Sequence, residues 1–380
     1  MVYKVSVEKC DSYEPEKLRK VLEKSLENIG YKLKENQKVL IKPNLLGAFK
    51  PEQAITTNPA ILEELCKILK GKNCEIFIGD SAGHDTENVL EVSKINTLSK
   101  YAKILDFDKE HFKTFEIKGK KVNLPKILFE VDLIINFAKM KTHVFTGVTL
   151  CSKNLYGCIP GKLKNYFHKL NQTHGKLSEI LIELNKIIKP QLNFIDAIVA
   201  IEGNGPAASG EKVDSKLVLV SENIFAVDII GTEIMGFDVN FIGTNNLSGI
   251  KKQDIKVIGE KVEDVKMNFK KPSGFINPVI VSLNKLFPNP RISFDKEKCK
   301  KCNICENHCP VKVISLETND GFPVCNNKDC ILCFCCVEMC PYDAVYLQDH
   351  WTKRFVKSIL KIPEKAIKRV KSLIKKEEVK

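Results

Sequence analysis

No apolar run in the 380 residues approaches the roughly 20 needed for a membrane-spanning helix. The opening Met1-Val2-Tyr3-Lys4-Val5 also lacks the charged start and apolar stretch of an export signal. No Gly-x-Gly-x-x-Gly fingerprint and no P-loop lysine occurs, so nicotinamide or flavin binding has no support from motifs. Tryptophan occurs once, no segment is low in complexity, and no internal repeat is visible outside one doubled cysteine run. With 43% hydrophobic residues, the chain can bury a sizeable core across two or three domains. The expectation is a soluble, cytoplasmic protein, and fifteen cysteines without an export signal fit a reducing compartment.

Eight of those cysteines form two runs, Cys299-x2-Cys302-x2-Cys305-x3-Cys309-Pro310 and Cys330-x2-Cys333-x2-Cys336-x3-Cys340-Pro341. Two-residue gaps let successive thiolates wrap the corners of a small cube, and the fourth cysteine, followed by proline, turns toward a second cube. The spacing therefore predicts two [4Fe-4S] clusters with crosswise ligands: Cys299, Cys302, Cys305 and Cys340 for one, Cys309, Cys330, Cys333 and Cys336 for the other. Structural zinc would use Cys-x2-Cys pairs set further apart, and disulfides would imply a secreted chain. The pattern resembles the bacterial-type two-cluster ferredoxin module. Cys325 and Cys335 fall outside the ligand spacing and read as packed thiols. Cys10, Cys66, Cys74, Cys151 and Cys158 read as ordinary reduced thiols.

The formal net charge is +13, but it is unevenly spread. Residues 351–380 hold eleven Lys or Arg against three Glu, and each oxidised cluster with its thiolates adds about −2 to the body of the protein. Apolar residues in this tail recur at helical spacing on either side of Pro363, which predicts basic amphipathic helices. Such helices dock on their own domain or on an acidic partner, with an anionic membrane surface as an alternative. Nucleic acid is disfavoured because the basicity is a tail property.

Short β-branched runs alternate with helical stretches up to about residue 265, which predicts an α/β domain around a mostly parallel sheet over 1–265. A Pro- and Asn-rich connection covers 266–292, a small α+β ferredoxin-like domain 293–348, and the basic helical tail 349–380. Several predicted strands end in polar residues: Lys42-Pro43-Asn44, Gly79-Asp80-Ser81, Lys139-Met140-Lys141-Thr142-His143 and Glu202-Gly203-Asn204-Gly205-Pro206. In a parallel sheet the carboxyl ends of strands share one edge, where ligands bind. Lys42, Lys139, Lys141 and Lys153 would supply a positive field for an anionic small molecule, with Asn44 and Asn154 orienting it. Asp80, His143 and Glu202 are the candidate proton donors or acceptors.

These stretches, with Thr56-Thr57-Asn58-Pro59, Thr146-Gly147-Val148-Thr149, Lys153-Asn154-Leu155-Tyr156-Gly157 and Ala226-Val227-Asp228, resemble an uncharacterised family, number 362 among the domains of unknown function. Asn58 stands where that family often has histidine. The resemblance implies an α/β domain acting beside iron–sulfur clusters and carries no settled reaction. Gly79-Asp80-Ser81-Ala82-Gly83 also fits the nucleophile elbow of α/β-hydrolases, but no glycine-rich oxyanion segment precedes it, and hydrolysis has little use for clusters. Two functions remain in view: a ferredoxin-linked oxidoreductase acting on an anionic small molecule or cofactor, and a non-enzymatic electron-transfer or maturation protein docking on a partner. In either, a redox partner protein is expected.

Overall fold

The computed structural model describes residues 2–82, 85–144, 146–161, 164, 167, 174–272, 290–316 and 320–348. The tail at 349–380 and most of the 266–292 connection lie outside them. Among the described residues, no helix is long and apolar enough to cross a membrane.

Twelve strands precede residue 265: β1 (Tyr3–Lys9), β2 (Lys38–Lys42), β3 (Glu75–Asp80), β4 (Lys103–Asp106), β5 (Phe112–Ile117), β6 (Lys120–Pro125), β7 (Leu133–His143), β8 (Gly147–Thr149), β9 (Leu192–Gly203), β10 (Gly210–Val213), β11 (Leu217–Ser221) and β12 (Ile255–Gly259). Ten of them make one sheet, in the order β12-β1-β11-β9-β7-β2-β3-β4, with β10 paired to β9 and β8 to β7. The neighbours β9, β7, β2, β3 and β4 run parallel, so their carboxyl ends share one edge. β11 runs antiparallel to both β1 and β9.

The parallel strands are apolar on both faces because both faces are covered. In β2, Val39 and Ile41 enter one core and Leu40 the other; in β3, Ile76 and Ile78 oppose Phe77 in the same way. One core is closed by the helices Pro15–Ile29 and Pro59–Lys70. The first of these begins on Pro15, whose fixed φ suits a helix start, and buries Leu18, Val21, Leu22, Leu26 and Ile29 at helical spacing. It stops at Gly30, whose φ of 77° suits a residue without Cβ. Asn58 caps the second helix by accepting from Ala60 N, which gives that position a structural task. The helices His174–Ile188 and Ile224–Ile234 close the other core.

Two strands run further than the sequence implies. Lys139 to His143, read as a polar exit, are the last residues of β7, and Glu202 and Gly203 end β9. Antiparallel pairing with β8 and β10 supplies the backbone hydrogen bonds for these extensions. The α/β domain also takes in residues beyond 265. Phe269 is buried in its core, and Lys270 N donates to Glu202 Oε2 at 2.9 Å.

The small domain pairs β13 (Arg291–Phe294) with β16 (Val345–Gln348) and β14 (Ile314–Ser315) with β15 (Val324–Cys325), all antiparallel. β13 starts inside the stretch read as a connection because Ile292 is buried in the small domain's own core.

Candidate iron–sulfur centre and the adjoining cavity

The two cysteine runs share one backbone course. Lys301 and Asn303 flank Cys302 with φ of 54° and 61°, and Leu332 and Phe334 flank Cys333 with 49° and 59°. Lys312 and Asp343, each three residues past the fourth cysteine of its run, are also left-handed. Such turns aim amides inward. Lys301 N donates to Cys299 Sγ at 3.5 Å, Val313 N to Cys309 Sγ at 3.3 Å and Ala344 N to Cys340 Sγ at 3.3 Å. Amide donors on ligand sulfurs are a feature of iron–sulfur sites, so the residues present fit [4Fe-4S] groups.

Thiols of both runs come together in one core. Cys305 interacts electrostatically with Cys302, Cys340 and Cys299, and Cys336 with Cys333, Cys330, Cys305 and Cys309. Cys302 is exposed, whereas Cys305, Cys333, Cys336 and Cys340 are buried.

Between the two domains lies a cavity of about 1220 Å³, large against the roughly 300–1,000 Å³ usual for small-molecule sites. The parallel strand ends supply Lys42, Asn44, Asp80 and Lys141 to one wall, and the helix Cys151–Asn154 adds Lys153 and Asn154. The opposite wall includes Cys309, Cys335 and Glu338 of the cluster-binding domain. Cys309, from the first run, therefore borders the same space as the lysines.

Their electrostatics differ. Lys42 Nζ lies 2.7 Å from Asp80 Oδ1, and both side chains are buried. Asp80 also accepts from Ser81 N and Leu45 N, each at 2.9 Å, so its carboxylate is fully engaged and positions the loops around it. Lys141 Nζ donates to Asn44 Oδ1 at 2.7 Å and Ile55 O at 2.8 Å and has no carboxylate at ion-pair distance among the described residues. Burial, then Lys153 and Lys139, hold its ammonium well below the ordinary lysine range. Lys153 stands 5.9 Å over the Tyr156 ring and makes no hydrogen bond or ion pair among the described residues. Burial lowers its pKa too, against the pull of Glu338.

Of the residues read from the sequence, Lys42, Asn44, Asp80, Lys141, Lys153 and Asn154 come together on this cavity. Three do not line it. Lys139 is held by Asp196 Oδ2 at 2.9 Å and Tyr13 Oη at 2.8 Å, because Asp196 lies opposite it on β9. Glu202 binds Lys270 N and lies 3.7 Å from Lys270 Nζ. His143 is buried behind the wall, its Nε2 3.2 Å from Glu338 Oε1.

Glu338, Lys164 and Asp108 escaped the sequence reading, and Asp228 entered it only within a family-matching stretch, with no role. Burial raises the Glu338 carboxyl, with Lys153 and Lys141 opposing. Its signal was an acid inside a cysteine loop. Asp108 accepts from Ser81 Oγ at 2.8 Å and Thr86 Oγ1 at 2.9 Å, and it follows β4, another polar strand end. Lys164 donates to Ser81 O and, at 2.9 Å, to Ser81 Oγ. Asp228 accepts from Cys151 N and Ser152 N at 2.8 Å, fixing the start of the helix that carries Lys153.

Gly157 packs against the Lys42–Asp80 pair. A Cβ there would stand 2.2 Å from Asp80 Oδ1 and 2.6 Å from Lys42 Nζ. Gly157→Ala is expected to cost about 1–3 kcal/mol in a denaturant titration. Unchanged stability would show that this contact relaxes freely.

A mostly parallel α/β domain joined to paired cysteine loops defines an iron–sulfur electron-transfer protein with a second, non-ferredoxin domain. The chain belongs to the family described as "Domain of unknown function (DUF362)", which matches residues 39–233, and a 4Fe-4S dicluster domain matches residues 291–341. It is 31% identical over 253 residues to the thylakoid-associated protein sll1697 of Synechocystis sp., spanning 64% of this chain and 78% of that protein. It is also 35% identical over 60 residues to a ferredoxin of Methanothermococcus thermolithotrophicus, spanning 15% of this chain and 98% of the ferredoxin. Among solved structures, the lactate racemase apoprotein of Thermoanaerobacterium thermosaccharolyticum aligns with a TM-score of 0.40 at 18% identity, over 63% of this chain and 57% of the racemase.

Proposed function

We propose that the chain is a ferredoxin-linked oxidoreductase in which two [4Fe-4S] clusters supply single electrons to an anionic small molecule or cofactor held in the interdomain cavity. The observation that carries this reading is the pairing of Cys309 on one cavity wall with Lys141 and Lys153 on the other. Cys299, Cys302, Cys305 and Cys340 would hold one cluster, and Cys309, Cys330, Cys333 and Cys336 the other.

Lys153, without a carboxylate at ion-pair distance among the described residues, binds the anion, and Lys164 adds to the field, whereas the charge of Lys42 is neutralised by Asp80. Asn44 and Asn154, tied by a hydrogen bond of 3.0 Å, fix the floor of the site. Glu338, whose carboxyl is raised by burial, borders the same cavity and would supply protons there, with His143 Nε2 3.2 Å behind its Oε1. Binding of a redox partner protein belongs to the same proposal.

The test is anaerobic. The protein is reduced, carboxylates, phosphates and oxidised cofactors are added in turn, and return of the oxidised absorbance is followed. One compound is expected to speed reoxidation, with affinity falling roughly tenfold to a hundredfold in Lys153→Met, as for loss of a charged hydrogen bond. Burial lowers Lys164 to about 8. It is cationic below that pH and neutral above, so the affinity should weaken as pH rises through about 8. If no compound reoxidises an intact reduced protein, the oxidoreductase reading fails in favour of a partner-docking electron-transfer or maturation role.

A further inference from the structure

Lys141 is arranged differently from the other lysines at the strand ends. Lys42 faces Asp80 and Lys139 faces Asp196, each in a buried ion pair. Lys141 is equally buried, yet its Nζ meets only neutral acceptors, Asn44 Oδ1 and Ile55 O. An uncharged amine has two hydrogens and one lone pair. Two protein acceptors use both hydrogens and leave the lone pair over, in a residue that lines a cavity.

The surroundings favour that uncharged form. Burial removes hydration from the ammonium, and the nearby cations Lys153 and Lys139 repel its proton. Glu338 and Asp80 pull the other way, but neither reaches ion-pair distance of Nζ. A desolvated lysine beside another cation is the environment in which the amine becomes a nucleophile toward carbonyl carbon. Lys153, on the adjoining helix Cys151–Asn154, has no carboxylate at ion-pair distance among the described residues.

We propose that Lys141 captures an anionic carbonyl compound as an imine, with Lys153 receiving the ligand's carboxylate or phosphate. The Nζ lone pair forms the C–N bond. The carbonyl oxygen then leaves as water, taking both Nζ hydrogens, and no electrons are gained or lost. The step rests on the proposed function only in placing the ligand in the same cavity.

The probe is pyridoxal phosphate, an anionic aldehyde, added with cyanoborohydride to the full-length, cluster-loaded protein at about pH 6.5, followed by peptide mass mapping. At that pH an ordinary lysine is unprotonated to only about one part in ten thousand, so surface lysines label slowly. The expected result is one dominant adduct on Lys141, absent in Lys141→Arg. In Lys153→Met, labelling should fall roughly tenfold at this pH, because the phosphate loses its cation and the proton on Lys141 is no longer repelled, and raising the pH should restore only part of it. Wild-type mapping decides the question even if a variant fails to fold. Adducts spread over surface lysines, with Lys141 unlabelled, overturn the imine. If reoxidation by an anion still depends on Lys153 in that case, the proposed function survives alone. A Lys141 adduct in a protein that no anion reoxidises supports the imine and removes the redox reading.

Discussion

Replacing Cys340 with serine is expected to remove the cluster of the first cysteine run, although Cys340 belongs to the second. The physical reason lies in chain direction. Three thiolates at two-residue gaps wrap one cube, and the fourth is carried past it before proline turns the chain. Cys340 interacts with Cys305 from within the shared core of the small domain, and Ala344 N donates to its sulfur. Iron content should fall by about half, and the surviving centre should be the one at the cavity wall. Cys309→Ser should do the opposite, sparing the centre next to exposed Cys302 while abolishing reoxidation by the cavity ligand. The two variants should therefore lose similar iron but differ in that reaction. If each mutation instead removes the cluster of its own run, the crosswise assignment is wrong. The iron–sulfur signature of the reduced protein measured by electron paramagnetic resonance would show which pattern holds.

The cysteine loops were legible in the sequence because their chemistry is set by local spacing: each gap fixes how far apart two sulfurs can stand. The parallel sheet was legible from its β-branched runs, and the convergence of Lys42, Asp80 and Lys141 follows from strand ends sharing an edge. What spacing does not carry is which charge a distant residue will neutralise. Lys139 and Lys141 look alike on β7, yet Asp196, 57 positions from Lys139, claims one, and among the described residues no acid claims the other. Glu202 was similarly captured by Lys270, 68 positions away. Glu338 became part of the site only because the small domain packs across the strand ends, a relation between two folded surfaces.

Lys42→Met should be the most destabilising single substitution in the α/β wall of the cavity. Lys42 and Asp80 are 0% and 2% exposed at the side chain, with 2.7 Å between Nζ and Oδ1. Removing the cation leaves a buried carboxylate whose remaining partners are two backbone amides, and breaking such a pair typically costs about 3–5 kcal/mol. Asp80→Asn in the same background should recover part of that loss, because the uncompensated charge disappears while the amide oxygen still accepts from a backbone N–H. Full recovery is not expected, since one neutral oxygen replaces two charged ones and the new NH2 faces Leu45 N or Ser81 N. Asp80→Asn alone should also destabilise, by leaving Lys42 without its anion. The double-mutant cycle from urea unfolding should thus give a coupling well outside the few tenths of a kcal/mol seen for independent sites. Additive effects would mean that the pair is not a mutual electrostatic contact, and the strand ends would then need another explanation for holding a lysine in a dry interior.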